Sequence, residues 1–320
     1  MLSIPASRET VRLHLGKQAK TSAPATGGFR LRHYGCTNRQ PRELTILRTK
    51  LSTHSHQRFT QYYREQSGSP ETWDRFDRIF SGLLSLVEKA ANGKPLRVCD
   101  IGGGAGTLSR VIASYGHKPT CIDLNEALIE TGRQRALEDG LNIDFRVASA
   151  TEVPFPDETF DLCVMAELLE HVEDWETCLD EIARVLKPGG AVFLSTTNAM
   201  CPRQSEFNLP LYSWYPTPLK RYWLRRAQTD RPDLANFATY PAFHWFTFAS
   251  LRTALRKRGF TKFFDRFDLS LARGAFGLKK PVYTVITSTA LTRFLAYFTT
   301  ESSVIIAVKD LKTQSRAGDF

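Results

Sequence analysis

The chain has 320 residues, 42% apolar and 24% charged, with a formal net charge of +10, which fits one large α/β domain with appendages or two small domains. Ten Lys/Arg against Glu9 and Glu43 in residues 1–50 supply +8 of that charge. The remainder is nearly balanced, which excludes a basic nucleic-acid platform, and no nucleic-acid partner is expected.

The basic stretch 1–50 is rich in Ser, Thr, Arg and Gly and reads as a disordered tail, either a solvated extension or a mitochondrial presequence. Residues 51–93 read as an N-terminal helical cap. Within it, over 58–92, Trp73, Phe76, Ile79, Phe80, Leu83, Leu84 and Val87 recur at three and four residues, and Gly93 and Pro95 then stop the helix. Two roles stay open for this cap: covering a ligand, or packing on a sheet.

From Arg97 onward strand-like and helix-like segments alternate, as in a parallel sheet covered on both faces. Strands are expected near 97–101, 119–123, 143–147, 160–165, 190–196, 261–269 and 302–309. The first runs into Gly102-Gly103-Gly104-Ala105-Gly106 and leaves as a helix, so backbone can approach a bound ligand. Asp123 ends the second strand about 20 residues later, where a carboxylate accepts the hydroxyls of a ribose. The glycines at 102, 104 and 106 give G-x-G-x-G, and Thr107 stands where a dinucleotide fingerprint has its third glycine. The pattern therefore favours a nucleoside ligand without pyrophosphate over a nicotinamide dinucleotide.

With three further segments, this loop resembles the class I S-adenosylmethionine-dependent methyltransferases, in particular the type 11 and ubiquinone-pathway O-methyltransferase-like members. The segments are RVASATEVPFPD at 146–157, FDLCVMAELLEHV at 160–172 and RVLKPGG at 184–190. Weaker similarity runs from 244 to 309. The resemblance implies an α/β, Rossmann-like fold: a seven-stranded, mostly parallel sheet with helices on both faces and an antiparallel last strand. It assigns residues 94–320 to the methyltransferase domain, with insertions at 199–243 and 271–301. It further implies S-adenosyl-L-methionine as cofactor. Asp100 would fix the loop and the methionine amino group, Gly102, Gly104 and Gly106 would admit the cofactor, and Asp123 would hold the ribose. Leu124 would lie against adenine, Ser149 would meet the adenine amino group where relatives carry an acid, and Ala150 would give its backbone N–H.

Helical spacing after the fourth strand would put Glu167, Glu170 and His171 on one face. Three readings remain for them. They are a site for Mg2+ or another divalent metal, as the E-x-x-E-H pattern of ubiquinone-pathway relatives implies; a metal-free acceptor contact with His171 and Glu167 catalytic; or a structural pair. His244, in HWFTF, is a second base candidate whose alternative is packing.

The two insertions, one punctuated by prolines and the other rich in aromatic and β-branched residues, read as lids. Segment 216–226 (PTPLKRYWLRR) mixes cations with Tyr and Trp, which suits either peripheral membrane contact or an acceptor lid. No apolar run reaches the roughly 18 residues that cross a bilayer. The six cysteines include no C-x-x-C pair and read as reduced, which gives a cytoplasmic protein, or a mitochondrial one if the tail is a presequence.

The expected activity is methyl transfer to a small-molecule acceptor, most simply O-methylation of a phenolic, quinone-precursor, lipid-like or glycan hydroxyl. The absence of an N-P-P-Y type motif turns the reading away from amide or nucleobase nitrogen. Alternatives are C- or N-methylation of a lipid or natural-product intermediate, and a catalytically silent methyltransferase-like scaffold.

Overall fold

The computed structural model describes residues 60–61, 63–87, 93–235, 242–274 and 280–311. The tail 1–50, residues 51–59 of the cap and the presequence reading lie outside the described residues. Helix α1 (Pro70–Val87) belongs to the same compact unit as the sheet.

Strands β1 (Arg97–Ile101), β2 (Lys118–Asp123), β3 (Asp144–Val147), β4 (Phe160–Ala166) and β5 (Leu186–Thr197) run parallel. The last strand, β7 (Ser302–Lys309), lies antiparallel between β5 and β6 (Phe260–Asp265), giving the order β3-β2-β1-β4-β5-β7-β6. This is the expected seven-stranded Rossmann-like sheet. Helices α2 (Thr107–Ser114), α3 (Glu126–Glu138), α4 (Trp175–Val185) and α6 (Phe248–Arg256) lie between strands in sequence. Between β5 and α6 comes α5 (Thr217–Thr229), and between β6 and β7 come α7 (Arg266–Ala272), α8 (Lys280–Ser288) and α9 (Ala290–Ala296).

Near-continuous apolar runs mark strands buried on both faces. Along β5, Phe193 joins the core with α1, α2 and α7, through Phe80, Val111 and Leu269. Its neighbours Val192 and Leu194 join the opposite core with α4 and α6, through Ile182 and Leu251. The apolar stripe read in the cap is the α1 face of the first core, with Phe80, Leu83, Leu84 and Val87 buried.

One expectation needs correction. The strand expected over 261–269 stops at Asp265, whose side chain accepts from Phe267 and Asp268 N–H while Asp268 answers back to Asp265 N–H. That reciprocal cap turns the FDLSLA stretch into α7. In 216–226 the prolines begin a helix, because Pro216 is the cap of α5 and Pro218 sits in its first turn, where a missing N–H costs nothing. Within the first insertion Phe207, Tyr212, Ala227 and Leu234 form a small core of their own.

Within 216–226, Leu219 and Tyr222 are exposed, whereas Lys220 turns inward, donating to the Ser213 carbonyl at 2.7 Å and lying over the Trp245 ring. Burial pushes that ammonium down to about 8. Among the described residues no helix is long and apolar enough to cross a membrane. Cys99, Cys121, Cys163, Cys178 and Cys201 are free and buried, as expected.

Candidate active site

The carboxyl ends of β1, β2 and β3 bring the predicted donor-site residues together. Gly104 has φ +55, the left-handed conformation that glycine adopts without strain, and this turns its N–H onto the Asp123 carboxylate at 2.9 Å. Asp123 also accepts from Asn125 N–H at 2.8 Å, so the loop and the end of β2 are fastened through one side chain. Its half-buried carboxyl is shifted upward, chiefly by burial. Leu124 is 71% exposed at the rim, free to lie on a ring. Ser149 and Ala150 follow β3 and are half-buried; the Ser149 hydroxyl meets Thr151 Oγ1 at 2.8 Å. Gly106 caps α2.

Asp100 lies beneath the loop, 2% exposed, with Ser109 Oγ donating to it at 2.7 Å. It braces the turn from below. Burial, with a smaller contribution from Asp123, pushes its carboxyl from 3.8 up to about 7. A carboxyl raised on folding makes the native chain hold the extra proton. Its contribution is therefore fully present below about pH 4 and is lost as pH rises through 7, at most about 4 kcal/mol. Urea unfolding at pH 5 and pH 8 should show a smaller loss of stability between these pH values in Asp100→Asn than in the unaltered chain. Equal losses would remove Asp100 as the source.

Thr107, in the place of a third glycine, donates its hydroxyl to the Ser67 carbonyl at 2.8 Å. Arg135 holds the same turn through the Arg64 carbonyl at 2.7 Å. Of the two roles left open for the cap, the structure shows packing on the sheet by α1, and the turn before α1 is pinned beside the glycine loop.

The expectation that Glu167, Glu170 and His171 share one helical face fails. Strand β4 runs on to Ala166, Glu167 takes left-handed backbone at φ +53, and only Leu169–His171 form a short 3-10 turn. Ser195 and Thr196 are consecutive on β5 and so point to opposite faces. Glu167 accepts from Ser195 Oγ at 2.7 Å and stands 3.6 Å from Arg75, while Glu170 accepts from Thr196 Oγ1 at 2.8 Å. Glu167 thus faces α1, and Glu170 and His171 face the first insertion.

There a third acid joins them. Glu206 Oε2 lies 3.9 Å from His171 Nε2, and one ligand atom from each of Glu170, His171 and Glu206 falls within 4.8 Å of the others. Glu206 thus stands where Glu167 was expected. No local motif marks it, because it enters through the fold of the insertion. Glu170 is fully buried with Oε1 unpartnered, and burial, then Glu167, holds its carboxyl well above the usual range. Burial and Glu167 push Glu206 up to about 7.

His244 stands apart from this cluster. Its Nε2 donates to the Glu173 carbonyl at 3.0 Å and its ring meets Trp175 edge-on, while its own backbone N–H and that of Phe243 reach the Glu170 carbonyl. These contacts brace the loop after β4.

A parallel sheet whose first strand feeds a glycine turn, answered by an acid at the end of the second, defines a Rossmann-like nucleoside-binding domain. Residues 99–194 match the family model described as a methyltransferase domain. Over that span the chain is similar to methyltransferase domains.

The "Ubiquinone biosynthesis O-methyltransferase" of Xylella fastidiosa (strain M23) is 39% identical over 119 residues, 36% of this chain and 47% of that protein. The protein of the same name from Stutzerimonas stutzeri (strain A1501) is 43% identical over 106 residues, 32% and 44% of the two chains. The match thus spans about half the length of these curated relatives. Among solved structures, a protein of Pyrococcus horikoshii OT3 is 18% identical with a TM-score of 0.49, over 78% of this chain and 99% of its own. The fold assignment rests on the strand order above rather than on this likeness.

Proposed function

We propose that the protein transfers a methyl group from S-adenosylmethionine to a hydroxyl oxygen of a small acceptor, with a phenolic or quinone-precursor hydroxyl as the first class to test. The observation that carries this reading is the joining of the Gly104 N–H to the Asp123 carboxylate at the strand ends, one loop away from the Glu170, His171 and Glu206 cluster. The relatives' printed name, an O-methyltransferase, supports oxygen as the acceptor atom. In the reaction the acceptor oxygen forms a bond to the methyl carbon as the carbon–sulfur bond breaks, and S-adenosylhomocysteine leaves. The protein's task is to align donor and acceptor and to take the hydroxyl proton, which His171 Nε2 is set to receive beside Glu206.

The donor set of two carboxylates and one imidazole, with Glu170 Oε1 buried and unpartnered, also fits a divalent cation. Such an ion, where bound, lowers the pKa of a coordinated hydroxyl. Turnover is measured as S-adenosylhomocysteine formed from a panel of catechols, before and after chelation and after Mg2+ return. Methylated catechol is the expected product, and a chelation-sensitive rate that Mg2+ restores would make His171 a ligand of the cation rather than the base. Unchanged turnover under chelation retires the cation and leaves His171 as base. Donor binding without turnover on the panel favours the silent scaffold, and no donor binding retires the reading.

A further inference from the structure

Next to Glu167, on the α1 side of the sheet, lies a cavity of about 240 Å³ whose lining includes Arg75, Arg78, Arg266 and Arg273 but a single carboxylate, Glu167. Arg75 and Arg78 are one turn apart on α1, and Arg266 and Arg273 two turns apart at the two ends of α7, so each pair shares a helix face. The two helices approach closely: a β-carbon on Gly82 of α1 would lie 2.9 Å from Leu269 of α7.

Charge balance at this cavity is uneven. Glu167 stands 3.6 Å from Arg75 and also accepts from Ser195. Arg266 donates to the Ser302 carbonyl at 3.1 Å, a neutral partner. The nearby acids Asp265 and Asp268 are engaged by Arg293, and Asp265 also accepts from Tyr297. Among the described residues, Arg78 and Arg273 pair with no carboxylate. Arg75, Arg78 and Arg273 are exposed at the cavity, and such a cluster of like charges raises the local concentration of anions. Guanidinium forks match the geometry of carboxylate and phosphate oxygens.

The position of the cavity gives the charge a use. Glu167 forms part of its wall, and the next residue, Leu168, closes on the donor loop so tightly that a β-carbon on Gly102 would lie 2.5 Å from its Cδ2. The cavity therefore adjoins the donor site at the carboxyl ends of β4 and β5. We propose that it receives an oxyanion, carboxylate or phosphate, carried by the methyl acceptor, so that the substrate is an acidic small molecule anchored by arginines from α1 and α7. That the anion belongs to the acceptor rests on the methyltransferase reading; that the cavity binds an oxyanion does not.

The test is calorimetric titration of the full chain, saturated with S-adenosylhomocysteine at constant ionic strength, with phenyl phosphate, benzoate and phenol. At least one anion is expected to bind about tenfold or more tightly than phenol, the worth of one charge-assisted hydrogen bond, and the tighter anion names the group. An Arg78→Gln/Arg273→Gln double variant should reduce that preference to about threefold or less. The Arg78→Lys/Arg273→Lys variant, which keeps charge without the fork, should retain part of it, and thermal unfolding of both reports their folding. Both anions within about threefold of phenol, or a glutamine variant that keeps the preference, overturns the proposal. Titrating the unaltered chain with S-adenosylhomocysteine alone separates the two readings: nucleoside binding without anion preference sinks only the anion site. Anion preference without nucleoside binding sinks the methyltransferase reading and leaves the anion site standing.

Discussion

Replacing Asp123 with alanine is expected to weaken S-adenosylmethionine binding by about a hundredfold or more, with the fold retained. The carboxylate accepts one backbone N–H on each oxygen, from Gly104 at 2.9 Å and Asn125 at 2.8 Å. Each oxygen keeps a lone pair for a ribose hydroxyl. Two charge-assisted hydrogen bonds to the ligand, at roughly 1.5–3 kcal/mol each, exceed the ~2.7 kcal/mol that a hundredfold requires. Alanine also frees the Gly104 amide, so the loop loses the contact that holds it in its left-handed turn. Asp123→Asn keeps the shape and removes the charge, and should fall between the two. The check is calorimetry with S-adenosylmethionine, alongside thermal unfolding to confirm folded protein. An alanine variant that binds within about threefold of the unaltered chain would mean that the nucleoside sits elsewhere.

The glycine turn and the acid that faces it were legible because their signals are local. A buried strand, a glycine turn and an acid one strand later are each written in a few consecutive residues, and Asp100, Gly104 and Asp123 stand where that spacing put them. The loop after β4 was misread because E-x-x-E-H has helical spacing, whereas strand pairing with β5 carries the chain on to Ala166 and a left-handed Glu167 then divides the acids between two faces. The end of β6 was misread for the opposite reason. Phe267, Leu269 and Leu271 alternate as in a strand, but the Asp265 and Asp268 cap wins, reinforced by Tyr297 and Arg293 from the second insertion. Glu206 had no local signal at all. Its role arises only when the insertion folds on its own small core and returns it to His171. The cavity arginines did leave a trace, Arg75 and Arg78 at one-turn spacing, but nothing in sequence says that α7 would set Arg266 and Arg273 opposite them.

His171→Ala is expected to lower turnover by about 10²–10⁴-fold while donor affinity stays within about threefold, because the imidazole acts on the acceptor proton and not on the nucleoside. Glu206→Gln should cost less: its carboxylate lies 3.9 Å from Nε2, a distance that helps hold positive charge on the ring without being a tight hydrogen bond. A loss of rate alone would not separate a base from a brace, since the 3-10 turn carrying His171 also positions the buried Glu170. Acceptor acidity separates them. General-base assistance matters most when the hydroxyl holds its proton firmly. His171→Ala should therefore retain much more of its rate on 4-nitrocatechol, whose hydroxyl is already acidic, than on catechol. Equal losses on the two acceptors would assign His171 to positioning. In that case the proton must leave through Glu206 or through a cation held beside it, and the chelation series then distinguishes the two.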